Sequence, residues 1–296
     1  MSNTIIFKSG FITIIGRPNV GKSTLLNQLI GEKLAITSNK PQTTRNQILG
    51  IKNLENAQLI FLDTPGIHKT NNKFNKFMVM KAVSTYQNVD IILFMVEAQR
   101  PCHIDDLLII DTFKSVNLPR ILLINKIDLI KKETILTTID SYYKINNFSE
   151  FMPISAKDGT GIELLKSTLV KYLPEGPQYF QKDMITDLPE KFFVAEMIRE
   201  EIIKLTHKEM PYSTAVKIEE FKIRENRTSL IRAIIWVEKK SQKMIIIGKN
   251  GHLIKKIGIN SRKKIERWLK KPIYLDLWVK VKDSWKKKEK NFDQIF

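Results

Sequence analysis

Eight consecutive residues, Gly16-Arg17-Pro18-Asn19-Val20-Gly21-Lys22-Ser23, constrain this chain more than any other stretch. They fit G-x-x-x-x-G-K-[ST], a loop whose backbone N–H groups wrap phosphate oxygens. The flanks supply the fold around it. Phe11-Ile12-Thr13-Ile14-Ile15 is an apolar run of strand length. The residues from Thr24 to Ile30 read as a helix that Gly31 ends. Strand, glycine loop and helix in succession bring loop N–H groups and a helix N-terminus to one point, which suits an anion. The glycines let the backbone approach without a Cβ clash. In this arrangement Lys22 reaches the β- and γ-phosphates and the Ser23 hydroxyl ligates Mg²⁺. The loop alone leaves the base of the nucleotide open.

The base is read further along. Residues 120–124 form an apolar strand that delivers Asn125-Lys126-Ile127-Asp128. A carboxylate there accepts two hydrogen bonds, from N1–H and the 2-amino group of guanine. Adenine has no such donor pair, so Asp128 selects guanine by a charge-assisted bidentate contact. Asn125 braces the phosphate loop and meets the base N7. A second apolar stretch, Phe151-Met152-Pro153-Ile154, ends in Ser155-Ala156-Lys157, whose Ala156 N–H suits guanine O6. A P-loop kinase or ATPase is the rival reading, and Asn125-Lys126-Ile127-Asp128 argues against it.

Between these motifs lie the elements expected to sense the γ-phosphate. Residues 47–51 and 58–62 read as strands, and the second runs into Asp63-Thr64-Pro65-Gly66. An acid at the end of a buried strand beside the phosphate loop is placed to hold Mg²⁺ through water, and the Gly66 N–H to meet a γ-phosphate. The polar loop 32–45 offers a second hydroxyl for the metal. Thr44 is the favoured ligand, with Thr43 beside it as the alternative. GTP is expected to order loops 37–45 and 63–72 and so change how the two halves of the chain sit together. Helices are expected over 73–86, 105–116 and 161–173, and a central strand over 90–96.

A length of 296 residues favours two domains. No apolar run reaches the roughly 20 residues of a membrane span, and the first residues lack the pattern of a secretory signal. The single cysteine, Cys102, excludes an intramolecular disulfide and points to the cytoplasm. The net charge is +18, of which +12 falls on residues 187–296 and +6 on 1–186. The C-terminal part therefore suits a polyanion, either nucleic acid or an anionic membrane surface.

Residues 174–190 are proline-rich and polar, a linker by composition. Beyond it, residues 191–205 carry a helical apolar period, and 214–223 and 229–238 read as an antiparallel strand pair. Met244-Ile245-Ile246-Ile247 leads into Gly248-Lys249-Asn250-Gly251. Helices over 252–257 and 260–269 follow, then an alternating strand from Ile273 to Val281. Lys286-Lys287-Lys288-Glu289-Lys290 reads as a solvated or phosphate-touching tail.

The ordered set G-R-P-N-V-G-K-S, T-T-R, D-T-P-G, N-K-I-D and S-A-K resembles the translation-factor-like GTPases. Ile67 stands after D-T-P-G where Ras-like proteins carry a water-positioning Gln. The chain resembles the subgroup with an apolar residue there, which implies slow intrinsic GTP hydrolysis. The C-terminal pattern around G-x-x-G resembles a type II KH domain. Single-stranded RNA passes close to such a glycine loop, which makes Gly248, Lys249, Asn250, Gly251, Lys255 and Lys256 the candidate RNA contacts. Together the two halves resemble the TrmE-Era-EngA-type GTPases, in their bacterial ribosome-assembly branch. The resemblance implies an α/β GTPase domain over 1–173 with a mostly parallel six-stranded sheet. It implies a smaller α+β KH domain over 191–296. Catalytic Lys22, Thr44 and Gly66, Mg²⁺ on Ser23, Thr44 and Asp63, and bound GTP or GDP belong to the same implication. So do a monomeric switch, the 3′ end of small-subunit ribosomal RNA, the small ribosomal subunit, and a peripheral association with the inner membrane.

Overall fold

The computed structural model describes residues 6–37, 48–63, 88–114, 116–145, 147–206, 210–223 and 228–282. Thr43, Thr44, Thr64, Pro65, Gly66, Ile67, the helix expected over 73–86 and the lysine-rich tail lie outside the described residues. The chain divides into two compact units, Met1–Asp187 and Leu188–Phe296.

The first unit is built on strands that sequence patterning demands be buried. Strand β4 (Ile91–Glu97) is a continuous apolar run, and residues 91–96 are fully buried. A strand with no polar face needs cover on both sides, which a parallel sheet flanked by helices provides. The sheet has β4 next to β1 (Lys8–Gly16) and follows the order β2-β3-β1-β4-β5-β6. Strands β2 (Ile48–Asn53) and β3 (Ala57–Asp63) form an antiparallel hairpin at one edge. β5 (Arg120–Asn125) and β6 (Glu150–Pro153) continue the parallel sheet at the other. Helix α1 (Lys22–Ile30) packs against β1, β2 and β3 together with α4 (Ile162–Tyr172). On the β4–β5 side, Phe94 meets Phe113 of α2 (Ile104–Phe113) and Tyr142 of α3 (Lys132–Tyr143) in one apolar cluster.

Helix α3 has no counterpart in the sequence reading. Its segment is rich in threonine, and its apolar row is short: Tyr142 is buried beside Thr138, while Ile135 and Ile139 are only half-buried. The 174–187 segment, expected as a linker, lies hydrogen-bonded along the sheet instead. Pro174 and Glu175 run beside Lys8 and Ser9. The fully buried Gln58 side chain accepts from the N–H groups of Tyr179 and Phe180, and donates to the Phe180 carbonyl and Asn53 Oδ1. The Ile51 N–H then donates to the Ile185 carbonyl at 2.8 Å. Composition marks a stretch without a core of its own, and here the neighbouring sheet supplies the partners.

The second unit has three strands in the order β7-β8-β9. β7 (Thr214–Lys222) is antiparallel to β8 (Ser229–Val237), and β9 (Ile273–Val281) is parallel to it. Helix α5 (Glu190–Leu205) packs on β7, and α7 (His252–Leu269) on α5 and β9. One unassigned run gains a type, and one expectation changes. The Met244–Ile247 run is the end of a helix, α6 (Lys240–Ile247), in which only Gln242 and Ile246 are buried. The two helices expected around Gly258 are one continuous α7. Gly258 keeps helical backbone, and a Cβ there would make only an ordinary 3.5 Å contact with Leu277, so this glycine does not break the helix. No helix among the described residues is long and apolar enough to cross a membrane.

The Gln58 contacts generate a prediction. Gln58→Leu keeps the side-chain size but takes the acceptor away from the Tyr179 and Phe180 N–H groups, at about 1–3 kcal/mol for each buried group left unpaired. Limited proteolysis should then cut within 174–187 faster than in the parent, and the first unfolding transition should move to lower urea. An unchanged cleavage rate would refute the strap assignment.

Candidate functional site

The phosphate loop sits at the C-terminal end of β1, where β1, β3 and β4 deliver their last residues together. Gly16 has φ 152° and Gly21 φ 110°. A Cβ on Gly16 would stand 2.3 Å from the Met95 carbonyl oxygen, and one on Gly21 would stand 2.3 Å from Asn125 Nδ2. Both glycines are therefore set by close approach and by backbone conformation. Asn19, exposed, also takes a left-handed conformation, with φ 65°. Pro18 is half-buried and Val20 fully buried at the same turn, and Thr24 is half-buried in the first turn of α1.

Lys22 is buried, and its ammonium donates to the Gly16 carbonyl at 3.0 Å and the Arg17 carbonyl at 2.7 Å. Burial pulls its pKa down to about 8, with Asp63 opposing the shift and Arg17 adding to it. Asp63 is fully buried at the end of β3, and burial pushes its carboxyl up to about 6 against the pull of Lys22 and the Ser23 hydroxyl. Ser23 Oγ donates to Asp63 Oδ2 at 3.2 Å, while Asp63 Oδ1 is buried without a hydrogen-bond partner among the described residues. An unsatisfied buried carboxylate oxygen beside a hydroxyl is an acceptor pair that a hydrated divalent cation completes. The donor set therefore fits Mg²⁺.

The base-reading loops converge on Asn125. Its Nδ2 donates to the Val20 carbonyl at 2.7 Å, and its Oδ1 accepts the Ala156 N–H at 2.9 Å. The Ala156 donor expected at guanine O6 thus has a protein partner here, and a base would share or displace it. Asp128 is exposed on the short turn Ile127–Leu129, and its Oδ1 accepts from Ser155 Oγ at 2.8 Å. Lys126, at φ 66°, pairs with Glu97 at the end of β4, and Lys157 is exposed.

Two contacts lay outside the sequence reading. Glu97 meets Lys126, and Asp106 takes the Arg17 guanidinium at 2.7 Å. Nothing local marks either acid: one ends a strand and the other sits in the first turn of a helix, where acids are common.

In the second unit, Gly248-Lys249-Asn250-Gly251 joins α6 to α7. Gly248 (φ 74°, ψ 175°), Asn250 (φ 52°) and Gly251 (φ 74°) all lie at positive φ. A Cβ at Gly248 would meet Leu253 Cβ at 2.8 Å, whereas one at Gly251 would meet nothing within 4 Å. Gly251 therefore leaves open space against the loop backbone. Lys249, Asn250, Lys255 and Lys256 are exposed, as are Met244 and Ile245 on the helix before the loop. Lys264 turns inward and pairs with the buried Glu200 and Glu201, so it does not contribute to that cationic face.

Comparison with known proteins follows this division. Residues 11–126 match the family described as 50S ribosome-binding GTPase, and residues 209–286 match the KH domain. The chain is 54% identical over 285 residues to GTPase Era of Syntrophus aciditrophicus, covering 96% of this chain and 93% of that protein. It is 50% identical over 289 residues to GTPase Era of Lactobacillus helveticus, covering 98% and 96%. It is also similar to the crystal structure of Era in complex with MgGDPNP and nucleotides 1506–1542 of 16S ribosomal RNA, with a TM-score of 0.92, 42% identity and 98% of both chains covered. A single-residue variant of Aquifex aeolicus Era bound to GDP·AlF4⁻ matches with the same TM-score and identity, over 98% of this chain and 99% of that one. With half of its residues identical across nearly the full length of such relatives, the protein belongs to the Era family of GTPases.

Proposed function

We propose that this chain is a GTP-hydrolysing switch that binds the 3′ end of small-subunit ribosomal RNA and assists assembly of the small ribosomal subunit. The observation that carries the nucleotide half is the Asn125 bridge, which sets the phosphate loop against the guanine-reading loop. The RNA half rests on the G-x-x-G loop with its open glycine and on the related Era that holds nucleotides of 16S ribosomal RNA.

In this reading residues 16–24 cradle the phosphates, and Lys22 leaves its carbonyl partners for the β- and γ-oxygens. Asp128, aimed by Ser155, takes guanine N1–H and the 2-amino group, while Asn125, Lys126, Ala156 and Lys157 frame the ring. Ser23 and Thr44, with Asp63 acting through water, would hold Mg²⁺, which would supply charge neutralisation to the phosphates. Asp63-Thr64-Pro65-Gly66 closes on the γ-phosphate, with the Gly66 N–H donating to it. Water attacks the γ-phosphorus and GDP and phosphate leave. Ile67 offers no hydrogen bond to orient that water, so intrinsic turnover is slow. Gly248, Lys249, Asn250 and Gly251 admit the RNA backbone, and Lys255 and Lys256 meet its phosphates. The working unit is a monomer with its GTPase domain over 1–173 and its KH domain over 191–296. It resides in the cytoplasm, and its basic second unit gives it a peripheral affinity for an anionic inner-membrane surface.

Three measurements test this. Asp128→Asn should weaken GDP by at least about tenfold, the loss of a charged bidentate contact, and shift preference toward xanthosine diphosphate. Unchanged guanine selectivity in competition binding would refute the base-reading assignment. Gly248→Asp and Gly251→Asp should abolish the gel shift of a short rRNA 3′-end oligomer while leaving GDP affinity intact. Retained RNA affinity, or binding to anionic liposomes alone, would refute the RNA reading. Because Asp63 must be ionised to hold Mg²⁺, the Mg²⁺-dependent gain in GTP affinity should shrink as pH falls from 7 through 6, where its carboxyl takes up a proton. A gain that stays constant down to pH 5 would exclude Asp63 as the metal-side carboxylate.

A further inference from the structure

A line of four buried side chains runs from the phosphate loop into the far helices of the first unit. Lys22 Nζ donates to the Arg17 carbonyl at 2.7 Å. The Arg17 side chain turns the other way, and its Nε donates to Asp106 Oδ1 at 2.7 Å. Asp106 Oδ2 accepts from the Tyr142 hydroxyl at 3.0 Å, and that hydroxyl accepts the Cys102 N–H at 2.9 Å. Asp106 and Tyr142 are fully buried, and Arg17 nearly so. Arg17 Nη2 has no hydrogen-bond partner among the described residues, so the Asp106 contact carries much of the guanidinium's anchorage.

Burying such a pair is costly, and a core of apolar residues of similar size is often at least as stable. Stability alone is therefore a poor reason for an Arg–Asp–Tyr line here. Geometry offers a better one. The Arg17 main chain is part of the phosphate cradle, and its carbonyl is where the Lys22 ammonium rests. Fixing the Arg17 side chain on the Asp106 carboxylate fixes that carbonyl and the peptide units beside it.

We propose that Asp106 and Tyr142 are positioning residues for the phosphate loop, acting through the Arg17 guanidinium to hold the cradle in its diphosphate-binding shape. The inference rests on the GTP-site reading above. Neither residue touches the nucleotide. Tyr142 limits the swing of Asp106, and Asp106 limits that of Arg17, so the loop takes its shape from α2 and α3 as well as from its own glycines. Since the cradle holds the β-phosphate, a loosened loop loses affinity for GDP more than for GMP. The guanine contacts stay as they were. General destabilisation has a different signature, lowering affinity for both nucleotides in proportion.

The test uses the full-length chain and titrations with GDP and GMP. Arg17→Met combined with Asp106→Leu removes both charges, so no buried ion is left uncompensated. This double variant is expected to fold with a somewhat lowered thermal midpoint, since Tyr142 loses its acceptor, to bind GDP at least about tenfold more weakly, the scale of a small misplacement of a binding group, and to lose most of its preference for GDP over GMP. Tyr142→Phe removes a single oxygen from a packed ring, and is expected to show the same loss of preference to a smaller degree. A double variant that binds GDP within twofold of the parent overturns the inference, as does an equal loss for GDP and GMP. Should the double variant fail to fold, Tyr142→Phe decides: an unchanged GDP-to-GMP ratio refutes the proposal. A parent chain that binds no GDP at all refutes the site reading instead, which keeps the two failures distinct.

Discussion

One carboxamide holds the nucleotide site of this protein together. Asn125 gives its Nδ2 to the phosphate loop at Val20 and its Oδ1 to the Ser155-Ala156-Lys157 loop, and its own carbonyl accepts the Ala98 N–H at 2.9 Å. Three loops that follow three different strands are thereby tied to one buried residue. The demand runs in both directions. A Cβ on Gly21 would collide with Asn125 Nδ2, so the second glycine of the phosphate loop exists partly to let this amide in. The sheet makes the arrangement possible, because parallel strands deliver their ends, and so their loops, to the same side.

That convergence also explains the electrostatic character of the site. Lys22 at the start of α1 and Asp63 at the end of β3 are both buried, and burial weakens the charged form of each. Each offsets part of the other's loss, and among the described residues neither has its full complement of partners. Asp63 Oδ1 is unsatisfied among the described residues, and Lys22 leans on two carbonyls of its own loop. A nucleotide and its metal supply the charges that such a site lacks. The apparent defects in its hydrogen bonding are the shape of what it binds.

Much of this was legible in the sequence, because the motifs are short and their chemistry is local. Gly16 to Ser23, Asp63 and Asn125 to Asp128 each fall at the end of an apolar run, and the fold puts each at a strand end. What was not legible depends on contacts remote in the chain. Asp106 is 89 residues from Arg17, and no pattern near either predicts the pair. Helix α3 escaped because its inward row of Ile135, Ile139 and Tyr142 is short and interrupted by threonines, and only Thr138 and Tyr142 are fully covered. The Met244–Ile247 run gave no type for a different reason. Three isoleucines after a methionine lack a helical stripe, and the helix leaves Met244 and Ile245 exposed beside the glycine loop. Gly258 illustrates a related limit: a glycine ends a helix where the chain turns left-handed, as at Gly31, and the sequence alone does not show that Gly258 stays helical.

The strap after α4 has a consequence for the behaviour of the protein in a crowded solution. β2 is an edge strand, and a bare strand edge is a template for pairing with another chain. Here the Ile51 N–H is already given to Ile185, and the Asn53 amide reaches the carbonyls of Lys182 and Met184. At these two positions the edge is covered by a segment too irregular to be extended by a further strand. A stretch whose composition suggests mere spacing thereby guards against aggregation, and shortening it would expose sticky backbone well before it disturbed nucleotide chemistry.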